Sequence, residues 1–504
     1  MPIVKGRPEK IKELKSLSFN RLYKYLPYLF MLVSIGVFVL FQYPTLLLPY
    51  FWDELGVYAR AALHLHDNNL SILPGAVPAD LSRGHPTLFV FLVASVFRIA
   101  GTELWVGHFY PFLVSLLLVV SVFGFGKKHF NSTVGLIAAL LLMVQPLFFA
   151  QTGLMLPEVQ LALLCFLAIN FYLQQQWLFY VILASLAVLT KETGIIVPAI
   201  LMGLEGIFYL VQSSRLKKIE LIKRTGLILI PWLVFGIFLI VQKLQNGWFF
   251  YPYHVSFIKT DWASLNYKLY FFSDFIFLSQ GRWLWLIILV LGVGWLIATK
   301  HISIKKEGER ILTDRVVSTY LFAVFIFFAS FLFSPDMHRY TLVVFPFVLI
   351  LLAAAIWQFT NGWSIYKAII VCVILSTHLF YLWDNSFNYD ADLDYVNVVK
   401  VQKEATNYLE KQKMKNGPLK IHSNFPFFYG MYDKRLGYLN ELDFLAWNNS
   451  VSEDIDFVVK ESPGTGIGAD LSDTSNYRLH KRFQEGFANV SIYKVFDNSR
   501  HENK

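Results

Sequence analysis

Apolar residues come in long, near-continuous runs along most of this chain, at roughly 27–47, 105–125, 133–150, 157–173, 177–190, 195–212, 225–243, 283–299, 316–334, 340–358 and 363–382. About 20 apolar residues cross the roughly 30 Å hydrocarbon core of a bilayer, so the pattern predicts about eleven transmembrane helices. The apolar segment 86–100 is short, and counting it as a crossing would move Lys127 and Lys128 to the side opposite the other basic loops. It reads as an interfacial or re-entrant helix, and so does 267–278.

From Asp384 the pattern changes: long apolar runs stop and charges become dense. An amphipathic helix is expected at 395–412. Strands are expected at 419–422, 455–460 and 490–495, each rich in β-branched or aromatic residues, with a Gly-, Asp- and Ser-containing loop at 462–474. The chain therefore divides into a transmembrane domain, 1–383, and a soluble domain, 384–504, of α/β or α+β class.

Composition agrees with this polytopic α-helical reading. Of 504 residues, 56% are hydrophobic, 17% aromatic and 16% charged, with a mean hydropathy of +0.49, which excludes an ordinary soluble enzyme. In a soluble protein a net charge of +9 would point to nucleic acid. In this chain Lys127, Lys128, Arg215, Lys217, Lys218, Lys223, Arg224, Lys300, Lys305, Lys306, Arg310 and Lys367 all fall on one side of the predicted crossings. That is the bias of cytoplasmic loops at an anionic leaflet, and no nucleic-acid partner is expected. A basic stretch ahead of the first run, with no small-residue cleavage site after it, reads as a retained anchor with a cytoplasmic amino end. Residues 384–504, with 15 Lys and Arg against 18 Asp and Glu, fall on the extracytoplasmic side. The two cysteines, Cys165 and Cys372, lie in apolar runs and imply neither a disulfide nor a metal site.

On this topology the outer face collects the ionisable residues that apolar surroundings make costly, and such residues are functional suspects. Asp53 and Glu54 follow the first run. Arg83-Gly84-His85-Pro86 precedes the interfacial segment. Glu158 opens a run, Lys191-Glu192-Thr193-Gly194 interrupts another, and Met337-His338-Arg339-Tyr340 opens a third. Each also has an ordinary reading. The acid pair could end a helix in the headgroup layer, Lys191 and Glu192 could neutralise each other, Arg339 could snorkel to lipid phosphate, and Glu158 could complement a helix dipole. Together they supply carboxylates able to act as a general base or to hold a divalent cation. They also supply cations suited to phosphate.

The phrase Phe51-Trp52-Asp53-Glu54-Leu55-Gly56-Val57-Tyr58-Ala59-Arg60, followed by His-Pro, an outer acid, Lys-Glu-x-Gly and Arg-Tyr, resembles the C-type membrane glycosyltransferases. More narrowly, it is similar to the bacterial protein O-mannosyltransferase and aminoarabinose-transferase group. The resemblance covers about 30–385 and is most specific between Phe51 and Pro198. It implies a polyprenyl-phosphate-linked sugar donor at the outer face of the cytoplasmic membrane, with a lipid, glycan or protein acceptor. It implies Asp53 as general base and Glu54 as its orienter or a contact to sugar or acceptor. His85, with Arg83 beside it, would contact the donor phosphate, and Lys191 and Arg339 would stabilise it as leaving group. Glu158 stands where many relatives have Asp, and Pro86-Thr87 where they often have two prolines. Glu158, Glu192, His254 and Tyr340 are expected beside the substrate or a metal. A divalent metal is an open option, since some relatives use one and others do not. His254 lies in the aromatic run 248–254, which serves either as an interfacial belt or as a groove wall.

A transporter or flippase of lipid-linked sugars is the competing class. Such proteins place ionisable groups near the bilayer midplane and carry paired repeats. This chain shows no evident repeat and gathers its charges on one face.

Overall fold

The computed structural model describes residues 7–211, 218–300, 314–360, 364–383, 389–417, 419–440, 445–447, 455–462 and 477–495. The boundary expected at Asp384, most of the loop expected at 462–474, and the basic residues Arg215, Lys217, Lys305, Lys306 and Arg310 lie outside them.

Each apolar run is helical, and the chain is a multi-pass membrane protein. Among the described residues, Tyr25–Leu47, Leu104–His129, Glu192–Tyr209, Ile222–Asn246, His338–Thr360 and Ile365–Trp383 are long and apolar enough to cross a bilayer. Glu158–Leu173, Trp177–Thr190, Trp283–Gly292 and Arg315–Phe331 are shorter apolar helices. Among the described residues, length and composition alone thus account for six crossings, or seven with a bent pair.

The bent pair corrects the run expected at 133–150. Ser132–Val144 and Pro146–Thr152 meet at 69°, because Pro146 has no N–H to continue the ladder. Gln145 leaves the helical region, and its side chain accepts from Phe148 N at 2.9 Å, capping the second segment. The 86–100 segment forms the helix Leu88–Ala100, whose 13 residues rise only about 20 Å. Residues 267–278 fall largely within the helix Trp262–Phe277.

The carboxy-terminal part contains the helix Tyr395–Asn416 and five strands: β1 (Lys420–Ser423), β2 (Leu445–Trp447), β3 (Phe457–Ser462), β4 (Tyr477–Glu485) and β5 (Ala488–Val495). Their order in one mixed sheet is β2-β1-β3-β5-β4. β1 pairs parallel to β2 and β3, while β5 runs antiparallel to β3 and β4. The helix packs on β4 and β5.

This part is docked onto the segment that follows the first span. Tyr50 N donates to Leu436 O at 3.3 Å. Tyr438 Oη lies 3.0 Å from Tyr50 O and 2.8 Å from Gln402 Oε1. Arg435 pairs with Asp67 at 2.8 Å, and the Arg60 guanidinium lies 3.4 Å from the centre of the Tyr429 ring. These contacts tie residues 50–67 to the turns and the helix that flank the sheet.

Candidate functional site

Asp53 stands at the start of Glu54–Tyr58, a π-type turn that continues into the helix Ala59–Asp67. π-turns are rare and occur often at functional sites. The residue before it, Trp52, has a φ of +52°. Arg339 sits in the 3₁₀ stretch His338–Val344 that leads into the helix Phe345–Thr360. Its neighbour His338 is stacked on Phe271 and Phe275, with ring centroids 4.4 and 4.0 Å away, which fixes the backbone there.

Arg339 is the centre of the arrangement. It is 4% exposed, and two of its nitrogens donate to Asp53 Oδ2 and to Asp390 Oδ2. Its Nε lies 3.4 Å from Glu158 Oε1. The same Glu158 oxygen accepts from Lys191 Nζ at 2.8 Å. Lys191 Nζ lies 3.7 Å from the centre of the Tyr340 ring, a cation–π contact that holds the ammonium without consuming a hydrogen-bond donor. Arg83 Nη1 approaches Asp53 Oδ1 at 3.7 Å. Charges buried this deeply persist only when paired, and three carboxylates face three cations.

Lys191 reaches this place because the apolar stretch breaks at it. Its backbone is extended (φ −158°, ψ 146°), and a 3₁₀ turn, Glu192–Ile195, follows. Gly194 permits the fold: a Cβ there would stand 2.4 Å from the backbone of Ala187.

Beside Asp53 the charges decide its protonation. Burial pushes the carboxyl up, but Arg339 and Arg83 outweigh that and hold it below the ordinary carboxylate range. Asp390 goes the other way, raised by burial against the opposing pull of Arg339. Asp53 is therefore the more readily ionised carboxylate of this pair.

A second group lies next to the first. His85 Nδ1 is 3.0 Å from Glu192 Oε2, and the His254 ring packs on His85 at 4.7 Å. Burial, with the neighbouring His85 and Arg83, pushes His254 down to about 4, so it is neutral at pH 7. His64 and His66 are not part of either group; they hydrogen-bond locally to Asn68 and Asp67. Among the described residues no set of three or more His, Cys, Asp or Glu side chains is arranged to hold a metal ion. The carboxylates of Asp53, Glu158 and Asp390 converge on a guanidinium rather than on an open point.

Glu54 stands apart from the cluster. It is fully buried, and its carboxylate accepts from Phe51 N (2.9 Å), Met155 N (2.6 Å) and His108 Nε2 (2.7 Å). His108 Nδ1 in turn lies 3.0 Å from Leu46 O. In this geometry Glu54 fixes the end of the first span rather than facing a substrate. Two residues are not anticipated from the sequence: His108 beside Glu54, a lone histidine in an apolar helix, and Asp390 in the Arg339 cluster, from a polar stretch that reads as soluble.

A cleft opens beside the cluster, lined by Glu158, Lys191, Arg339 and Tyr340 and walled by apolar side chains including Phe327 and Phe331. Cations at the head and apolar walls beyond suit a phosphate carried on a hydrocarbon chain.

Residues 84–250 match the family described as dolichyl-phosphate-mannose-protein mannosyltransferase. The fold is shared with ArnT from Cupriavidus metallidurans bound to undecaprenyl phosphate, at a TM-score of 0.57 and 13% identity, over 92% of this chain and 98% of that one. The apo form of the same protein aligns with a TM-score of 0.56 and 14% identity, over 92% and 97%. The apo oligosaccharyltransferase from Archaeoglobus fulgidus aligns with a TM-score of 0.50 and 11% identity, over 82% of this chain and 64% of its own. No curated protein matches the sequence. The matched segment, 84–250, covers about a third of the chain, and the fold over most of its length is the one shared with these membrane proteins.

Proposed function

We propose that the chain transfers a sugar from a polyprenyl-phosphate donor to a hydroxyl acceptor at the outer face of the cytoplasmic membrane. The observation that carries this reading is Arg339, which is bound to Asp53 and lines the apolar-walled cleft together with Lys191. The ArnT structure with undecaprenyl phosphate supports a donor of the same lipid class.

In the proposed step the acceptor oxygen forms a bond to the anomeric carbon as the bond from that carbon to the phosphate oxygen breaks. The bonding pair leaves with the phosphate. Lys191 and Arg339, with Arg83 and His85 nearby, stabilise that charge in a partly dehydrated site, where fixed cations are most effective. The hydroxyl proton passes to Asp53. A carboxylate held below its ordinary range is a weak base, but the hydroxyl becomes strongly acidic as its oxygen bonds to carbon, so a weak, correctly placed base suffices. The phosphate needs no proton to depart, so one carboxylate and direct inversion are enough. This contrasts with the carboxylate pairs of glycoside hydrolases.

The same reading places the amino terminus in the cytoplasm and the sheet outside. It divides the chain into a transferase domain, 1–383, and an outer domain, 384–504, that covers the site through Asp390 and the contacts to residues 50–67. Basic residues gathered in alternate loops support this orientation.

The test is to reconstitute the protein in liposomes with radiolabelled polyprenyl-phosphate sugars and follow both cleavage and movement across the bilayer. Sugar release without translocation supports the transferase. Translocation of intact lipid without cleavage would replace it with a flippase.

A further inference from the structure

Backbone strain in this molecule is gathered around the charged cluster. Among the described residues, five that are not glycine have a left-handed backbone: Trp52, Arg83, Gln175, Gln280 and Tyr389. For an aromatic residue this conformation is unfavourable and persists only where the surroundings enforce it. Two of the five are aromatic, and each immediately precedes a carboxylate bound to Arg339: Trp52 before Asp53, and Tyr389 before Asp390. A third, Arg83, is itself in the cluster. A fourth, Gln280, donates from Nε2 to Ala391 O at 2.9 Å, while Gln151 Nε2 donates to Asp390 O at 2.8 Å. The segment bearing Tyr389 is thus clamped from two sides.

The two strained aromatics come together, although they are far apart in sequence. The Trp52 and Tyr389 rings lie with centroids 4.9 Å apart and planes at 58°. Trp52 is partly exposed, and Tyr389 is 45% exposed. Beneath them Phe51 stacks on Tyr395 at 5.4 Å and holds the base of Trp52 in place. An indole and a phenol kept open to solvent, on strained backbone, next to a buried cluster are not explained by core packing.

Their position relative to Arg339 says which substrate they meet. Arg339 turns Nε towards Glu158, and Glu158 and Lys191 line the cleft. It turns its terminal nitrogens towards Asp53 and Asp390. Neither Trp52 nor Tyr389 lines the cleft. The two carboxylates that the aromatics precede are thus bound by nitrogens of the guanidinium other than the one turned towards Glu158 in the cleft, and Asp53, the proposed base, adjoins Trp52 in the chain.

We infer that Trp52 and Tyr389 form the acceptor subsite and that the acceptor is a saccharide, whose ring stacks on the aromatic pair and presents a hydroxyl to Asp53. The electron-rich face of an aromatic ring attracts the polarised C–H groups on the apolar face of a pyranose. This assignment rests on the transferase reading for the role of Asp53, but binding to the platform does not require turnover.

The experiment is saturation-transfer NMR of the full-length protein in nanodiscs with a panel of methyl and alkyl pyranosides, beside a Ser/Thr hexapeptide. Ring protons of at least one glycoside receive saturation from the wild type. Trp52→Ala and Tyr389→Ala weaken that glycoside about tenfold or more, and Trp52→Phe restores most of the affinity with the aromatic face. Trp52→Gly, which relieves the backbone strain while removing the ring, binds as poorly as Trp52→Ala. This separates loss of the ring from misfolding. Binding of the peptide but of no glycoside, or equal glycoside affinity in wild type and both alanine variants, overturns the proposal. If the wild type cleaves no donor yet binds glycosides through these rings, the transferase reading fails and the saccharide platform stands.

Discussion

Arg339 Nη2 donates to Asp53 Oδ2 and so joins two residues 286 positions apart in the chain. The same guanidinium reaches Asp390 and lies beside Glu158. One side chain thus ties the end of the first span, the start of the span His338–Thr360, and the segment before the helix Tyr395–Asn416 into one electrostatic unit. Arg339→Lys keeps the charge but loses the fork that serves several carboxylates at once. Its kcat is expected to fall by about 10²–10³-fold, as for the loss of a fixed donor to developing negative charge. Steady-state kinetics on the reconstituted variant checks this, and a change confined to KM would count against it.

Asp53 is held below the ordinary carboxylate range by Arg339 and Arg83, which outweigh its burial. It is therefore ionised throughout the neutral range, and kcat/KM has its acid limb below about pH 4, the unperturbed value for aspartate. Activity is lost as pH falls through the depressed value and not before. A limb with its midpoint above pH 5 would show that a different group titrates.

Asp390→Asn removes a negative charge from the other side of Arg339, leaving the guanidinium to act more strongly on Asp53. The acid limb is expected to move to lower pH while the rate on the plateau falls, because Arg339 loses one of the partners that orient it. The pH–rate profile separates this from a merely destabilised variant, whose profile would shrink without shifting.

Glu54 and His108 act on stability. Both are at most 1% exposed, and their side chains meet at 2.7 Å. Breaking a buried pair from one side typically costs about 3–5 kcal/mol. His108→Ala is expected to lower the melting temperature in detergent sharply, and Glu54→Gln to do so less, because an amide still accepts hydrogen bonds. Activity per folded molecule is expected to fall less than in Asp53 variants.

Glu461 adds a pH dependence to the sheet. Buried in β3, it is pushed up to about 8 by loss of solvent, against the hydrogen bond from Gln402. Folding therefore takes up a proton between the unfolded value of about 4.3 and about 8. Stability falls as pH rises through that window and levels off above it. Glu461→Gln should abolish the slope and raise the melting temperature at pH 9, which differential scanning fluorimetry reads directly.

The residues that the sequence made legible are those whose charge interrupts an apolar run. Asp53, Glu158, Lys191 and Arg339 stood out because lipid-facing surroundings make a charge costly, and the structure brings them together with Arg83. His85, Glu192 and His254 form a neighbouring group. Asp390 gave no such signal, since an aspartate among polar residues looks solvated until tertiary structure buries it. Glu54 stands apart from Asp53 for a local reason: successive residues on a helical turn point about 100° apart, so adjacent acids in sequence face different neighbours. In the sheet, β1, β3 and β5 were foreseen from their apolar, β-branched residues. β4 was not, because it pairs only with β5 and is largely exposed. Tyr477, Leu479 and Phe483 share one face, but Lys481 and Glu485 interrupt it, so the alternation that a half-buried strand imposes is weak.

The central claim is that Asp53 is the base in a transfer from lipid-linked sugar. Its most direct test is single-turnover release of radiolabelled sugar from polyprenyl phosphate, comparing wild type with Asp53→Asn at equal folded concentration. Transfer in the wild type and a loss of about 10²-fold or more in the variant is the predicted result. Equal rates in the two proteins would contradict it and move the base elsewhere in the cluster.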